Sequence, residues 1–251
     1  MNPIVLIPAR MAAARLPGMP LADIGGVPMI VRVLNQALKA GIGPVAVAAG
    51  DAEIAEAIRA AGGIAVLTDP ELPSGSDRIL AALAQLDPGR QHDVVINLQG
   101  DMPFVDPAVL SDCARVLKEF DDADIATVVA PEGSPADRAN PDVVKAVLAM
   151  EADGKSGRAL YFTRSTLYGD APVWRHIGIY GYRRAALEAF NAASPSPLEK
   201  REKLEQLRAM ELGLTIRAAV AAEAPISVDN PSDLEAAKQH AANLAAAGKQ
   251  A

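Results

Sequence analysis

The chain has 251 residues, of which 50% are apolar and 22% are charged, and its formal net charge is -7. This balance is typical of a globular protein and excludes a disordered one, which has fewer apolar residues. The acidic charge disfavours extended binding to nucleic acid or to an anionic membrane, although a local arginine cluster can still bind a small anion. The single cysteine, Cys113, excludes an internal disulfide framework and a multi-cysteine zinc site.

Two apolar stretches stand out, and neither predicts a targeting signal or a membrane-spanning helix. The run from Ile4 to Ile7 is too short for the apolar region of a signal peptide. The uncharged run from Ala40 to Gly50 is shorter than the roughly 20 residues of a membrane-spanning helix. We therefore expect a soluble, cytosolic protein.

In the first half of the chain, short apolar runs alternate with helical patterns. The runs predict strands at Pro3 to Pro8, Val45 to Ala49, Ile64 to Leu67 and Val94 to Leu98. Helices are predicted between Pro28 and Gly41, at 51–61 with Asp51 as the cap, at 76–86 and at 107–120. This β-α-β order predicts an α/β fold with a doubly wound, mostly parallel sheet, whose ligands bind at the carboxyl ends of the strands.

Beyond about residue 124 the pattern becomes richer in strands. Strands are predicted at Ile125 to Ala130, Val143 to Met150, Arg158 to Thr163, Arg175 to Tyr182 and Leu214 to Val220. Helices are predicted at Arg184 to Ala192, at Pro197 to Leu212 and from Pro231 onwards. We therefore expect a single α/β domain over 1–251, whose second half extends the same sheet with one strand of mixed orientation.

The loop after the first strand carries Arg10 and Arg15 and predicts a polyphosphate site, because guanidinium groups pair with phosphate oxygens. An ordinary solvated loop is an equal alternative. The dinucleotide and Walker-type glycine motifs do not follow this strand.

Two aspartates are candidate ligands of a divalent cation. Asp101 follows the strand that ends at Leu98, at the edge where a nucleotide-bound cation is held. Asp229 follows a late strand. Each has a structural alternative, because Gly100-Asp101 is also turn chemistry and Asp229 is also placed to cap the last helix.

Three further segments carry candidate binding residues. Gly75 permits close approach to a nucleotide, with Arg78 one turn later, although Ser74 or Ser76 as a helix cap is the simpler reading. Alternation places His176, Gly178 and Tyr180 on one face of a strand, where a lone histidine is usually structural. Glu202, Glu205 and Gln206 share one helix face, and such charged faces are usually solvated.

Taken in order, these segments resemble the 3-deoxy-manno-octulosonate cytidylyltransferases (CMP-Kdo synthetases). The matching stretches span nearly the whole chain, and they are IPARMAAARLPGMPL, GVPMIVRVL, PSGSDRI, VINLQGDMPFVDP, ALYFTRS, RHIGIYGYRR, PSPLEKREKLEQLR and VDNPSDLE. The motifs of the second half separate this family from the sialic-acid cytidylyltransferases, which share the first loop.

The resemblance implies a sheet of the nucleotide-diphospho-sugar transferase type, CTP and the acidic sugar Kdo as substrates, Mg²⁺ as cofactor, and a cytoplasmic homodimer that serves lipopolysaccharide synthesis. It places CTP in 1–123, and sugar binding and dimerisation in 124–251. It implies CTP contacts by Ala9, Arg10, Arg15, Ser74, Gly75 and Arg78. It implies Mg²⁺ ligands at Asp101 and Asp229, which with Arg15 are the expected catalytic residues. It implies a sugar pocket of Gln99, Arg164, His176, Tyr180, Glu205 and Gln206. Because no separate general base stands out, metal-assisted deprotonation of the sugar hydroxyl is the expected mechanism.

Three residues depart from the pattern of the family. Met19 stands where a lysine is usual, Met102 where an acidic residue is common, and Ala14 where a hydroxyl is usual. A methionine packs but does not neutralise a phosphate. Two alternatives therefore stay open: a cytidylyltransferase for a modified 3-deoxy sugar acid, and a CTP-binding or sugar-binding paralogue that has lost turnover.

Overall fold

The computed structural model of the chain describes residues 1–12 and 17–248. In chain order, its strands are β1 (Pro3–Ala9), β2 (Asp23–Ile24), β3 (Val27–Pro28), β4 (Val45–Ala49), β5 (Ile64–Leu67), β6 (Val94–Asn97), β7 (Ile125–Pro131), β8 (Lys145–Met150), β9 (Ser156–Thr163), β10 (Trp174–Arg183) and β11 (Ile216–Val220). Its α-helices are α1 (Met29–Ala40), α2 (Ala52–Ala60), α3 (Gly75–Leu86), α4 (Pro107–Glu119), α5 (Arg184–Ala192), α6 (Pro197–Glu202), α7 (Gln206–Glu211) and α8 (Pro231–Gly248). The mixed α/β composition expected from the sequence is confirmed.

The described residues form two compact units, and the chain enters each of them more than once. The N-terminal unit comprises residues 5–89, 98–107 and 225–248, and the central unit comprises residues 1–4, 90–97 and 108–224. A single domain divided functionally at residue 123 stays a prediction.

The N-terminal unit is built on parallel strands. β4 pairs with β1 on one side and with β5 on the other, in a register that sets Val5 beside Val45 and Ala46 beside Ile64. The buried apolar runs of β1 and β4 have the composition of parallel strands covered on both faces. Because parallel strands end at one edge, the loops that follow β1 and β4 emerge side by side.

The last helix of the chain completes the apolar core of this unit. Val228, just before α8, and Ala237 and Ala241 within it are buried together with Ile24 and Met29. The partly buried side chains packed against this cluster are Met19, Phe104, Ile226 and Leu234. The segment that carries Asp229 is therefore held by apolar packing.

The central unit is mainly antiparallel, so the expectation of a mostly parallel sheet was wrong for this part. Its strand order is β6-β10-β7-β11-β9-β8. β10 runs antiparallel to β6, β7 and β8, and β9 runs antiparallel to β8 and β11, whereas β7 and β11 are parallel. The short turn between β8 and β9, closed by Gly154 N–H donating to Glu151 C=O, accounts for the β8–β9 pair, since a tight turn joins antiparallel strands. The antiparallel pairs of β10 are long-range contacts.

Two predicted elements differ from those observed. The helix expected over Pro197 to Leu212 is broken, because Lys203 adopts the left-handed conformation (φ 56°) and ends α6 there. Asp51 stands at the N-terminus of α2, but its side chain makes no capping hydrogen bond. Its carboxylate instead accepts a hydrogen bond from the Met11 N–H at 2.7 Å.

Within residues 1–12 and 17–248, none of the helices has the length and apolar composition that crossing a membrane requires.

Candidate active site

A cleft of about 310 Å³ lies in the N-terminal unit, at the carboxyl ends of its strands. It is lined by most of the residues that the sequence assigns to CTP. The lining consists of Pro8, Ala9, Arg10, Ala12, Met19, Pro20, Leu72, Pro73, Ser74, Gly75, Arg78, Gln99, Gly100 and Asp101. Arg15 and Ala14 fall outside the described residues, so their predicted roles stay predictions.

The start of the first loop is anchored by the next strand. The carboxylate of Asp51 accepts the Met11 N–H, and Gly50 N–H donates to Ala9 C=O at 2.8 Å. On the far side, Gly18 N–H donates to Met11 C=O at 3.1 Å. These bonds fix both ends of the arginine loop beside the cleft.

The two described arginines of the cleft have different environments. Arg10 is exposed, and its Nη1 reaches the Leu72 C=O at 3.5 Å. Arg78 is buried, and its guanidinium donates to Thr68 Oγ1 at 2.7 Å, to Asp69 C=O at 3.0 Å and to Pro70 C=O at 3.1 Å. The pKa of Arg78 is lowered, mainly by burial and secondly by the positive charge of Arg10. The carboxylates of Asp51 and Asp69 oppose this shift but do not cancel it. Arg78 thus fixes the 68–70 loop, whereas Arg10 is accessible to a phosphate.

Gly50, directly after β4, leaves the space that the guanidinium of Arg78 occupies. A Cβ atom at Gly50 would lie 2.7 Å from Nη1 of Arg78 and 3.1 Å from Cβ of Arg10. Every side chain larger than hydrogen would displace the guanidinium from the loop that it holds.

The N-terminus of α3 forms another wall of the cleft. Ser74 is its cap, because Ser74 Oγ accepts the Asp77 N–H at 3.1 Å. A Cβ at Gly75 would lie 3.3 Å from Cγ of Pro8 and 3.8 Å from Oε1 of Gln99, so the helix start closely approaches β1. An amide-rich helix start is a favourable environment for an anion.

Asp101 is the most perturbed acid of this unit. Its Oδ1 is buried and has no hydrogen-bond partner among residues 1–12 and 17–248. The pKa of Asp101 is raised from 3.8 to about 7, mainly by burial and secondly by the nearby Asp229. Hydrogen bonds from its own backbone and from Ser227 act in the opposite direction and are weaker. Removal of a carboxylate from water without a cation costs free energy, which a bound cation would offset.

Asp229 is not needed as the cap of α8. The Oδ1 of Asn230 accepts the Asp233 N–H at 3.0 Å and so caps the helix, which decides against the capping alternative for Asp229. The Asp229 carboxylate is exposed and accepts a hydrogen bond from the Ser227 hydroxyl at 3.3 Å. The segment is tied to Asp101 by Val228 N–H, which donates to the Asp101 C=O at 2.9 Å.

The residues present fit a hard divalent cation. Mg²⁺ is usually bound by one or two carboxylates together with substrate phosphates and water. Asp101 and Asp229 interact electrostatically, and the buried Oδ1 of Asp101 has the lone pairs that such a cation takes. In the described part of the chain, acidic, His and Cys residues form no metal-binding group of three or more.

The two methionines that depart from the family pattern have distinct positions. Met19 lines the cleft and packs against the apolar cluster beneath α8. Met102 is buried, with 6% of its surface exposed, and so belongs to the core rather than to the site.

The central unit brings together three of the predicted sugar-binding residues, His176, Tyr180 and Glu205. The His176 ring lies 5.0 Å from the Phe162 ring and 5.5 Å from the Tyr180 ring, between ring centres. Burial lowers the pKa of His176 to about 3, so the imidazole is neutral at physiological pH. Burial and then Glu205 raise the pKa of Tyr180 above its ordinary value, which places Glu205 within electrostatic range of the phenol.

Gln206, the residue after Glu205, is a buried donor in the same unit. It is 7% exposed, and in the part of the chain that the structure describes its Nε2 has no hydrogen-bond partner. An unsatisfied buried amide costs about 1–3 kcal/mol unless a ligand accepts from it. The helix face predicted for Glu202, Glu205 and Gln206 does not form, because α6 ends at Glu202 and α7 begins at Gln206. Gln206 is buried, whereas the Glu205 side chain is 38% exposed.

An internal ion pair positions Glu205 and Gln206. Glu199 accepts from Arg208 Nε at 2.8 Å and from Nη2 at 2.6 Å, and hydrogen bonds from Arg208 lower the pKa of Glu199. Both partners are largely buried, and the Arg208 guanidinium lies 4.5 Å from the centre of the Phe190 ring. This pair closes α7 back onto α6 across the bend at Lys203.

Arg164 lies on a loop that a buried lysine holds. Lys145 is fully buried and donates to the Arg164 C=O at 2.8 Å and to the Asn140 C=O at 2.9 Å. Arg164 itself is half-buried and donates to the Pro141 C=O at 3.0 Å. Gln99, the remaining predicted sugar ligand, lines the cleft of the N-terminal unit.

Sequence reasoning missed several residues that shape these sites. Gly50 and Asp51 follow β4 directly, and their position at the end of a parallel strand is a usable signal. Gly100 is packed so closely that a Cβ would lie 3.0 Å from the Pro8 C=O. Lys145 gave no signal, because a lysine in a strand-like segment is ordinarily exposed.

Comparisons with known proteins identify the family of the chain. The cytidylyltransferase family model matches residues 4–216. A 3-deoxy-manno-octulosonate cytidylyltransferase of Parvibaculum lavamentivorans is 54% identical over 94% of this chain and 92% of its own length. The enzyme of the same name from Rhodospirillum rubrum is 52% identical over 94% of each chain.

Solved structures give the same assignment. The structure of CMP:2-keto-3-deoxy-manno-octonic acid synthetase complexed with CTP is similar with a TM-score of 0.87 and 35% identity, over 97% of this chain and 99% of the other. The 4-diphosphocytidyl-2C-methyl-D-erythritol synthase of Anaerococcus prevotii is 12% identical with a TM-score of 0.64, over 95% of this chain and 98% of the other, and shows the fold alone. The chain therefore belongs to the cytidylyltransferase family and, within it, to the 3-deoxy-manno-octulosonate cytidylyltransferases.

Proposed function

We propose that this chain transfers the cytidylyl group of CTP to Kdo, giving CMP-Kdo and diphosphate for lipopolysaccharide synthesis. The observation that carries the proposal is the buried Oδ1 of Asp101, which no described residue pairs with, in a cleft that also exposes Arg10. A carboxylate and a guanidinium facing one cleft suit a triphosphate with a divalent cation. The names of relatives at 52–54% identity supply the sugar.

The N-terminal unit binds CTP in this proposal. Arg10 neutralises phosphate charge from the exposed side of the cleft, and the start of α3 at Gly75 offers backbone amides to the nucleotide. Arg78 acts indirectly, since its described hydrogen bonds hold the 68–70 loop.

Asp101 and Asp229 hold Mg²⁺, and the enzyme depends on it. When bound, Mg²⁺ screens the phosphate charge and acidifies the hydroxyl of the sugar. With the cation present, Asp101 is ionised at neutral pH, because the positive charge reverses the effect of burial on its pKa.

The central unit holds the sugar acid. Gln206 Nε2 donates to a substrate oxygen, which removes the cost of its burial. His176 is neutral and so takes part as a hydrogen-bonding group rather than as a cation. Arg164 supplies positive charge for the carboxylate of Kdo.

The reaction forms one bond and breaks one. The anomeric hydroxyl oxygen of Kdo bonds to the α-phosphorus of CTP, the bond from that phosphorus to the bridging oxygen of diphosphate breaks, and the hydroxyl proton passes to water. The residues of the chain contribute mainly by positioning both substrates and by stabilising the charge on phosphate.

The resemblance of the second-half motifs to those of the family supports a homodimer in the cytoplasm. Gel filtration with light scattering tests the oligomeric state. A monomer at micromolar concentration would contradict it.

The activity is tested by diphosphate release from CTP with a panel of sugar acids, in Mg²⁺ and in EDTA. We expect release with CTP, Kdo and Mg²⁺ together, and loss of release in EDTA. Faster release with a modified 3-deoxy sugar acid would favour the second substrate, and CTP binding without release would favour a paralogue that has lost turnover.

A further inference from the structure

The hydroxyl of Thr127 lies at the centre of a hydrogen-bonded group behind His176. Thr127 is on β7 and is fully buried. Its Oγ1 lies 2.9 Å from Nε2 of His176, 2.8 Å from the Ile179 C=O and 3.3 Å from the Ile177 C=O. One side chain therefore contacts the histidine and the backbone beside it.

The two carbonyls belong to an irregularity in β10. The pairing of β10 with β7 shifts between Ile177, opposite Val128, and Tyr180, opposite Thr127. Bulges of this kind redirect side chains and leave backbone groups without their ladder partners. The hydroxyl of Thr127 satisfies the Ile179 C=O, so it fixes the bulge that separates His176 from Tyr180.

The same hydrogen bonds determine which nitrogen of His176 carries the proton. A hydroxyl has one proton to donate, and carbonyl oxygens only accept. Because the shortest contact of Thr127 Oγ1 to a carbonyl is that to Ile179, the hydroxyl proton lies on that bond. The Nε2 atom must then be the donor to Oγ1, and a neutral ring with Nε2–H has a bare Nδ1.

The remaining ring nitrogen is available to a ligand. Within residues 1–12 and 17–248, Nδ1 of His176 has no hydrogen-bond partner. A bare imidazole nitrogen accepts a hydrogen bond from a hydroxyl and gives none to a carboxylate.

We propose that Thr127 is a positioning residue that holds His176 in the Nε2–H form, so that Nδ1 accepts a hydrogen bond from a hydroxyl of the sugar acid. This inference rests on the proposed function for the identity of the sugar. It assigns His176 to the hydroxyl groups of the substrate and leaves the carboxylate to other residues.

A matched pair of variants separates the hydroxyl from the shape of the side chain. Thr127→Val removes the hydroxyl and keeps the branched shape, whereas Thr127→Ser keeps the hydroxyl and removes a methyl group. The full-length enzyme is studied in both variants, by steady-state kinetics with CTP and Kdo and by long-range ¹H–¹⁵N spectra of the imidazole rings. The chain has three histidines, so His176→Gln assigns the signals of residue 176.

We expect the wild type and Thr127→Ser to show His176 protonated at Nε2, and Thr127→Val to show loss of that single form. The KM for Kdo should rise about 10- to 100-fold in Thr127→Val, the range for one lost hydrogen bond of roughly 1.4–2.8 kcal/mol, while the KM for CTP stays within about twofold. Thr127→Ser should restore the KM for Kdo to within about threefold of the wild type.

The spectrum of the wild type alone can overturn the inference, even if Thr127→Val does not fold. Protonation of His176 at Nδ1 would refute it, as would an unchanged KM for Kdo in a folded Thr127→Val. Absence of turnover with Kdo in the wild type would refute the proposed function instead, and the ring spectra would still decide the role of Thr127.

Discussion

Replacement of Asp101 by Asn should inactivate the enzyme and stabilise the metal-free protein. Burial and Asp229 raise the pKa of Asp101 from 3.8 to about 7. Ionisation of Asp101 is therefore less favourable in the folded protein than in the unfolded chain. At 1.36 kcal/mol for each pKa unit, this cost reaches about 4 kcal/mol once both states are ionised. Asn has nearly the same shape and no charge, so Asp101→Asn removes the cost.

The sign of the pH dependence follows from proton binding. Between pH 3.8 and about 7 the folded protein retains a proton that the unfolded chain has lost, so the contribution of Asp101 to stability falls as pH rises through this window. In EDTA, we expect Asp101→Asn to exceed the wild type in unfolding free energy by about 4 kcal/mol at about pH 8, and by about 2 kcal/mol at about pH 5.

Urea denaturation at these two pH values measures the difference, and two controls accompany it. Asp229→Asn should give a smaller gain, because it removes the second cause of the pKa shift and leaves burial in place. Addition of Mg²⁺ should stabilise the wild type and leave Asp101→Asn unchanged. A variant less stable than the wild type in EDTA at about pH 8, or a gain equal at both pH values, would refute the reasoning.

Three further predictions concern the cleft. Met19→Lys should raise kcat/KM for CTP by about tenfold, the effect of one charge-assisted hydrogen bond to phosphate, and should lower stability by about 1–2 kcal/mol because Met19 packs against the apolar cluster. Steady-state kinetics and thermal melts measure both effects, with Met19→Leu as the control. A loss of stability without a gain in rate would contradict the prediction. Gly100→Ala should cost about 1–3 kcal/mol, since its methyl group would lie 3.0 Å from the backbone of β1, whereas Gly248→Ala, in open space, should cost no stability in the same melts. Arg10→Ala should raise the KM for CTP and leave the melting temperature unchanged, whereas Arg78→Ala should lower the melting temperature. The opposite result would mean that Arg78 binds CTP and that Arg10 holds the loop.

The sequence predicted the parallel part of the fold well, because buried parallel strands such as β1 and β4 are continuous apolar runs. It failed where long-range contacts decide. The antiparallel pairing of β10 with three other strands leaves no local pattern. The break at Lys203 is accompanied by the pairing of Glu199 with Arg208, nine positions later in the sequence, which no local pattern indicates.

For the site, the sequence indicated residue types and positions but not their environments. Arg10 and Arg78 look equivalent as candidate phosphate ligands, and only the fold separates an exposed guanidinium from one that holds a loop. Thr127 gave no signal, since a threonine in a strand is ordinary, and its role depends on a bulge in another strand. The resemblance to a family compensated for this limit by supplying the candidate ligands.

The construction of the N-terminal unit has a consequence for synthesis of the chain. The apolar cluster beneath Met19 includes Val228, Ala237 and Ala241, which are close to the end of the chain. On the ribosome, the segments 5–89 and 98–107 emerge long before residues 225–248. This core therefore closes only after α8 has been synthesised, and the apolar surface of the earlier segments is open to chaperones until then.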